Sequence, residues 1–197
     1  MIQVFNNFMS STFQDYLENT IIHDEFPLLL NKDSVGYSNR DAVFADKNSV
    51  DLPQFIHVFY FNNKICSNYW DSILPLIYEM QNVTDKKLII DRCKLNVNTH
   101  SHKNKENSYH VPHIDYLPND AKDKITAVYY VNDSDGDVLF FETPEQRDKT
   151  GELKIIRREA PKKGKLIVFD AATVHAGSSP VTTDYRYVIN FNFKVVK

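Results

Sequence analysis

The sequence predicts a mainly β protein of the sandwich or jelly-roll kind, with helices packed against one of its sheets. From Lys87 onward, short runs rich in β-branched and aromatic residues alternate with polar turn signals, a spacing typical of antiparallel sandwiches and barrels. The preceding part of the chain repeats apolar residues at helical spacing instead. The runs predicted as strands are KLIIDRCKLNV, YHVPHIDY, ITAVYYVND, VLFFE, LKIIRREA, KLIVFDA and RYVINFNFKVV.

Two helices and one strand are predicted before residue 87. The cluster Ser10-Ser11-Thr12 offers N-cap oxygens to a helix that continues towards Ile22. A second helix is predicted over residues 69–81, with Pro75 either near its first turn or at a kink. Between them, QFIHVFYF (54–61) has the composition of a strand. The apolar residues that recur on one face of the second helix are Ile73, Leu76, Ile77 and Met80.

Two glycine-containing turns are predicted in the β-rich part. Asp135-Gly136 follows the strand ITAVYYVND and predicts a hairpin, because glycine tolerates the positive φ of the primed turns. Lys163-Gly164 is predicted to introduce the strand that begins near Leu166. The β-rich part is therefore expected to run through short, antiparallel connections.

The chain of 197 residues is long enough to bury a core of its own, and we expect one domain over 1–197. Its helical N-terminal part is expected to reach about residue 86, and its jelly-roll core to run from about residue 87. Two cysteines cannot form a disulfide framework. No signal-peptide pattern and no apolar run of membrane-spanning length occur, so we expect no membrane association and a cytoplasmic location.

The formal net charge of -3 argues against a general nucleic-acid-binding role, since phosphate contacts favour an excess of Lys and Arg. The charge is uneven, because residues 147–165 contain eight basic and three acidic residues. A solvated hairpin is the simpler interpretation of this basic segment, and a site for an acidic partner is the alternative.

The stretch His113-Ile114-Asp115, with His175 sixty residues further on, is the strongest chemical signal in the sequence. On an extended strand, residues i and i+2 point to the same side, so His113 and Asp115 can present their ligand atoms to a common point. His175 completes the set if its strand lies beside them in a rolled sheet. Two imidazoles and one carboxylate leave positions on a metal open, as in non-haem iron(II) oxygenases, although zinc also accepts these ligands.

Arg186 adds a second signal eleven residues after His175. It opens an alternating strand on the face that also carries Val188 and Asn190, and an arginine on an inward face is costly unless it meets an anion. Its planar guanidinium suits the far carboxylate of a dicarboxylic acid whose other end chelates the metal. In the strand that contains Tyr130, the tyrosine hydroxyl is placed to donate to the same carboxylate.

These residues resemble the iron(II)- and 2-oxoglutarate-dependent oxygenases, in particular the prolyl-hydroxylase-like branch and its short bacteriophage-type members. The resemblance rests on four segments in the family's order: HVPHID, TAVYYVNDSDGDVLFFE, KKGKLIVFDAATVHAG and RYVINFNF. It implies a double-stranded β-helix, a cupin-like jelly roll, with His113, Asp115 and His175 as ligands of Fe(II). It also implies that Arg186 binds the 2-oxoglutarate tail and that Tyr130 donates a hydrogen bond to it.

The resemblance implies an enzyme, a dioxygenase that uses Fe(II), 2-oxoglutarate and dioxygen to hydroxylate a C–H bond while 2-oxoglutarate is decarboxylated to succinate. A prolyl residue in a peptide or protein is the first expectation for the substrate. A free amino acid or other small molecule is the alternative, and a non-catalytic cupin-like binding module is the non-enzymatic one. His110 stands where many prolyl hydroxylases have a tyrosine, three residues before the first ligand.

The remaining histidines near the motif are interpreted as non-ligands. His110 and His113 are three residues apart, so on a strand they face opposite sides, and we expect His110 to contact ligands or substrate instead of the metal. His100 and His102 lie in the polar run THSHKNKENS, which predicts a solvated loop near the mouth of the pocket.

Overall fold

The computed structural model describes residues 1–32, 44–100, 108–142 and 151–196. Within them, the two helices are α1 (Ser11–Ile21) and α2 (Trp70–Thr84). The strands are β1 (Ile2–Phe5), β2 (Leu29–Asn31), β3 (Ser49–Val50), β4 (Gln54–Phe61), β5 (Lys64–Ile65), β6 (Lys87–Thr99), β7 (Tyr109–His110), β8 (Lys124–Tyr130), β9 (Val138–Phe141), β10 (Ile155–Glu159), β11 (Leu166–Asp170), β12 (His175–Gly177) and β13 (Tyr185–Val196).

A large antiparallel sheet forms the body of the molecule. Its strands follow the order β1-β11-β8-β13-β6-β4-β2, with β5 paired to β4. The long central strands β6 and β13 pair over their whole lengths, from Tyr185 opposite Thr99 to Val196 opposite Lys87. Because side chains alternate along a strand, this sheet presents two faces of different composition.

The outer face of the large sheet carries the main apolar core and binds both helices. Leu95, Phe191 and Tyr129 lie on this face and are buried. The helices contribute apolar residues at helical spacing to the same cluster. These helical residues are Leu17, Ile21, Ile73, Leu76, Ile77 and Met80. The expectation of a mainly β protein with helices packed on one sheet is confirmed.

A second sheet of three strands, in the order β10-β9-β12, covers part of the inner face. Val138 and Phe140 of β9 pack against Val128 and Ile167 of the large sheet, so the two sheets share an apolar layer at one end. β3 and β7 form a separate parallel pair. The rest of the inner face is polar and borders a cavity.

The predicted N-terminal elements are confirmed. The N-cap of α1 is Ser10, and its side chain accepts a hydrogen bond from the backbone N–H of Phe13 at 3.3 Å. β4 spans the predicted eight residues. α2 continues three residues beyond the predicted end, to Thr84, and its C-cap is Asp85, which adopts a left-handed conformation with φ 50°. Pro75 lies inside this helix, past its first turn.

The prediction of one continuous strand YHVPHIDY is wrong. Only Tyr109 and His110 form a strand, and His113 makes a single antiparallel bridge with His175. Pro112 lies between them and has no N–H to donate to a ladder, which accounts for the interruption. Asp115 lies outside any strand.

The hairpin predicted at Asp135-Gly136 is also wrong. β8 and β9, on either side of it, belong to different sheets, and Gly136 does not have a positive φ. Instead, the Asp135 carboxylate accepts hydrogen bonds from the backbone N–H groups of residues 181–183 and from the Thr183 hydroxyl. The connection therefore crosses between sheets, tied to the segment before β13. By contrast, Gly164 has φ 74° and precedes β11 as predicted.

No helix in the described part of the chain is both long enough and apolar enough to span a bilayer.

We expect Asp135→Ala to lower the free energy of unfolding by about 1 kcal/mol, because it removes the acceptor of three backbone N–H groups and of the Thr183 hydroxyl. Burial opposes ionisation of Asp135, but the hydrogen bonds from Thr183 and the backbone outweigh it and hold the pKa well below its usual range. This stabilisation is therefore complete above about pH 4, where the unfolded carboxyl is ionised, and is lost as the pH falls further. Urea unfolding at neutral and acidic pH measures both effects.

The exposed Asp120, which makes no side-chain hydrogen bond or salt bridge in the described residues, gives the control variant Asp120→Ala. Equal stability of the two variants would contradict the role assigned to Asp135.

Candidate metal centre

A cavity of about 200 Å³ lies between the polar inner face of the large sheet and the second sheet. Alternate residues of the central strands line it, as expected for one face of a pleated sheet. The polar lining residues are Gln54, Arg92, Lys94, Asn96, Asn98, His110, His113, Asp115, Thr126, His175, Arg186 and Asn190.

His113, Asp115 and His175 come together at one end of this cavity. One ligand atom from each lies within 4.8 Å of the others. The two histidines are joined by reciprocal backbone hydrogen bonds, 2.9 Å from His113 N–H to the His175 carbonyl and 3.0 Å in return. Their ring centroids are 4.5 Å apart, and His175 Nε2 lies 4.0 Å from Asp115 Oδ2. The structure thus places the predicted triad around a single point.

Each histidine of the triad is held in a defined tautomer by its own backbone. His113 Nδ1 lies 3.2 Å from the Val111 carbonyl oxygen, and His175 Nδ1 lies 2.9 Å from that of Thr173. A carbonyl oxygen only accepts, so Nδ1 carries the hydrogen and donates it in both rings. With the hydrogen on Nδ1, Nε2 is the nitrogen of each neutral ring that can bind a metal.

Asp115 is held ionised by its neighbours. The Thr126 hydroxyl donates to its Oδ2, and Arg92 Nη2 lies 3.3 Å from its Oδ1. Burial favours the protonated acid, but the two imidazoles, the Arg92 guanidinium and the Thr126 hydrogen bond outweigh it and lower the pKa to about 2. The carboxylate is therefore available as an anionic ligand across the physiological range.

Arg186 lies at the opposite end of the cavity and is 95% buried, with a 5% exposed fraction. Its Nη1 donates to Asn98 Oδ1 at 3.2 Å, whereas its Nε has no hydrogen-bond partner in the described residues. No carboxylate in the described residues forms a salt bridge with it. A buried guanidinium with a free N–H indicates a site that takes an anion.

Tyr130 packs directly behind Arg186. The Arg186 Cζ atom lies 5.3 Å from the centre of the Tyr130 ring, and the tyrosine side chain is fully buried in the apolar layer with Val138 and Val188. Its hydroxyl makes no hydrogen bond of good geometry in the described residues. Burial raises its pKa, and the adjacent Arg186 guanidinium opposes this shift. Tyr130 does not line the cavity itself. Its hydroxyl can therefore contact only a ligand that is bound next to Arg186.

His110 lies at the Arg186 end and not at the triad, although it lines the same cavity as His113 because the strand predicted to turn them to opposite sides is interrupted. Its Nε2 is 2.9 Å from Ser179 Oγ and 3.3 Å from Asn98 Nδ2. Burial, with the nearby Arg186, lowers its pKa to about 4, so the ring is neutral at pH 7.

Several lining residues were not singled out by the motif analysis. Arg92, Lys94 and Asn98 alternate along β6 on its inward face, and Thr126 supports the acidic ligand from β8. The sequence does contain a signal for the residues of β6, because polar and apolar side chains alternate there from Arg92 to Asn98.

Parts of two predicted features lie outside the described residues. They are His102, with most of the polar loop around it, and Arg147 and Lys149 of the basic segment. The described members of that segment form salt bridges within the chain, for example Lys163 with Asp15 and Glu18. This pairing supports a solvated structural role over an acidic-partner site.

Comparison with known proteins agrees with this geometry. Residues 97–194 match the model of the 2OG-Fe(II) oxygenase superfamily. No curated protein matches the chain by sequence. Residues 97–194 thus form a 2OG-Fe(II) oxygenase domain, and the chain is a 2-oxoglutarate-dependent non-haem iron dioxygenase that uses Fe(II), 2-oxoglutarate and dioxygen.

Solved structures show the same fold at low sequence identity. A prolyl hydroxylase from Trichoplax adhaerens, in complex with a peptide of hypoxia inducible factor, has a TM-score of 0.61 and 15% identity over 98% of this chain and 83% of its own. A prolyl-4-hydroxylase from Pseudomonas putida has a TM-score of 0.54 and 15% identity over 100% and 93%. The α-ketoglutarate-dependent epimerase SnoN has a TM-score of 0.62 and 12% identity over 98% and 78%. The predicted double-stranded β-helix is thus confirmed.

We expect Gly136→Ala to lower the free energy of unfolding by about 2 kcal/mol, because a Cβ at this position has no room. It would overlap the Ser178 carbonyl oxygen and lie 2.8 Å from Arg186 Cδ. Gly177→Ala is the matched control, since its Cβ would meet the Arg186 guanidinium at 3.4 Å, near ordinary contact distance. Urea unfolding of both variants tests this prediction. An equal loss of stability in both would contradict the lack of room assigned to position 136.

Proposed function

We propose that this 2OG-Fe(II) oxygenase hydroxylates a C–H bond of a prolyl residue in a peptide or protein. The observation that carries the proposal is the convergence of His113, Asp115 and His175 within 4.8 Å at one end of a cavity whose other end holds the buried Arg186. The likeness of the fold to two prolyl hydroxylases supports the choice of a prolyl substrate.

His113, Asp115 and His175 are the proposed ligands of Fe(II). Two neutral imidazoles and one carboxylate on one side of the ion match the donor set that non-haem Fe(II) oxygenases use. The backbone carbonyls of Val111 and Thr173 fix the histidine tautomers, and Thr126 holds the carboxylate in place. The ligands are thus oriented before the metal binds, which lowers the cost of assembling the site.

Arg186 is the proposed partner of the far carboxylate of 2-oxoglutarate, with the Tyr130 hydroxyl donating to the same group. Both residues are buried and each has a donor atom without a partner in the described residues, which fits a carboxylate that supplies the missing acceptors. Asn98 fixes the guanidinium from the opposite side through its 3.2 Å hydrogen bond. The arrangement orients the cosubstrate along the cavity towards the triad.

When bound, Fe(II), 2-oxoglutarate and dioxygen supply an oxidation in which the oxoacid loses carbon dioxide to become succinate and the substrate C–H bond becomes C–OH. The protein itself positions the metal, the cosubstrate and the substrate relative to one another. Val128, Val138 and Val188 give one side of the cavity an apolar wall, which favours a reaction site with little water.

A free amino acid or another small acid is the second candidate substrate. The observation that favours it is the presence of two cations, Arg92 and Lys94, on the cavity wall near the triad. A prolyl ring inside a peptide chain is uncharged and would leave Lys94 without a counter-charge, whereas Arg92 already contacts Asp115 at 3.3 Å.

The function is tested by measuring succinate formed from 2-oxoglutarate by the Fe(II)-loaded protein, with and without proline-containing peptides. We expect decarboxylation that a prolyl peptide stimulates, with hydroxyproline detected by mass spectrometry. His175→Ala removes one ligand and should abolish turnover and weaken metal binding by at least about a hundredfold. Stimulation by free amino acids alone would support the second candidate, and no decarboxylation under any condition would contradict both.

We expect Arg186→Ala to raise the dissociation constant of 2-oxoglutarate by about a hundredfold, because a buried carboxylate loses its charged partner. Metal binding should be unchanged, since Arg186 does not contact the triad. Calorimetric titration of 2-oxoglutarate into the Mn(II)-loaded protein measures the effect. Arg158→Ala, which removes an exposed arginine of β10, is the control. Preserved affinity in the Arg186 variant would contradict its assignment.

A further inference from the structure

Lys94 is a partly buried cation that the proposed chemistry does not use. It lies on β6 between Arg92 and Asn96 on the same inward face, and it lines the cavity. No carboxylate in the described residues is within salt-bridge distance of its ammonium group, and no side-chain hydrogen bond holds it. Burial, and next to it the charge of Arg92, lower its pKa to about 8, against the opposing effect of Asp115. The protein thus retains a lysine where an isolated charge is disfavoured.

Arg92 lies beside Lys94 and lines two adjacent cavities. It lines the metal-site cavity and also an open cleft of about 380 Å³, which the Asn62-Asn63 turn and Tyr116 border on the far side of Asp115. Its Nε donates to Asn192 Oδ1 at 2.8 Å, which fixes the guanidinium on the sheet. Asp115 also lines both spaces, and Arg92 Nη2 lies 3.3 Å from its Oδ1, which leaves the other N–H groups of the guanidinium for a further anion.

The charges on the cavity wall do not balance when the cofactors are counted. The wall carries three cationic side chains, Arg92, Lys94 and Arg186, against the single carboxylate of Asp115. Divalent iron adds two positive charges and 2-oxoglutarate adds two negative ones, with the metal-bound histidines neutral. Two positive charges remain uncompensated in a largely buried site, and a bound anion would offset them.

We propose that Arg92 and Lys94 form an anion-binding subsite for the primary substrate, which therefore carries a carboxylate close to the C–H bond that is hydroxylated. Residues two apart on one face of a strand project side by side, so their two cationic groups reach a single carboxylate together. The inference rests on the proposed function and narrows it to substrates that present a free carboxylate. That carboxylate comes either from a free amino acid or from the C-terminal residue of a peptide.

The test compares matched acids and amides. L-Proline and L-prolinamide represent the free amino acid, and acetyl-glycyl-proline and its C-terminal amide represent the peptide end. Each compound is titrated calorimetrically, without oxygen, into the protein loaded with Mn(II) and 2-oxoglutarate. We expect at least one acid to bind at least about tenfold more tightly than its amide. The pair that shows the preference identifies the source of the carboxylate.

Lys94→Met keeps the length of the side chain and removes its charge. It should abolish the preference for the acid while leaving the dissociation constant of 2-oxoglutarate unchanged, and Lys94→Arg should restore the preference. Lys194→Met, which changes an exposed lysine near the end of β13, is the control and should behave as the unmodified protein.

Three outcomes overturn the subsite: acids and amides that bind equally, acids that do not bind at all, or a Lys94→Met variant that loses affinity for 2-oxoglutarate instead. Failure of the proposed function is recognised separately, since it would leave the acid preference intact while no 2-oxoglutarate is decarboxylated in air.

Discussion

The reciprocal backbone pair between His113 and His175 is the contact on which the site depends. Its two hydrogen bonds, of 2.9 and 3.0 Å, join the segment before β8 to the short strand β12 of the second sheet. Because both imidazoles project from this one bridge, main-chain geometry sets their 4.5 Å ring separation, and no long side chain has to be ordered. Asp115 then connects the bridge to the large sheet through Thr126. The candidate metal centre is therefore also a link between the sheets.

The two faces of the large sheet divide stability and function between them. Leu95, Phe191 and Tyr129 on the outer face bury apolar surface against the helices, which is the dominant favourable contribution to folding. The alternate positions on the inner face hold Lys94, Asn96 and Asn190, where apolar residues would pack better. Buried polar and charged groups reduce stability unless they are paired. The helices thus allow the inner face to be polar, because they supply the core that this face does not.

The sequence predicted the elements whose patterns are local, and it missed those that depend on partners distant in the chain. α1 and β4 follow from a cap and from strand composition, and the triad follows from a spacing of residue types. The predicted hairpin at Asp135-Gly136 is wrong because these residues make long-range contacts instead. The Asp135 carboxylate accepts hydrogen bonds from residues 181–183, and the absence of a side chain at Gly136 leaves room for Ser178 and Arg186. The alternation along β6 places Arg92 and Lys94 on one face, but that this face borders the cavity depends on the pairing of β6 with β13, which no local pattern reveals.

That register also shows why one cosubstrate cannot satisfy every cation in the cavity. Arg186 lies opposite Asn98, whereas Arg92 lies opposite Asn192, six residues further along β13. Six residues of strand correspond to about 20 Å of backbone. A five-carbon diacid held by Arg186 at one end and by the triad at the other therefore meets Arg92 only at the triad, where Arg92 Nη2 contacts Asp115. The cations at the two ends thus face different groups, and in the proposed subsite the group at the Arg92 end is the carboxylate of the substrate.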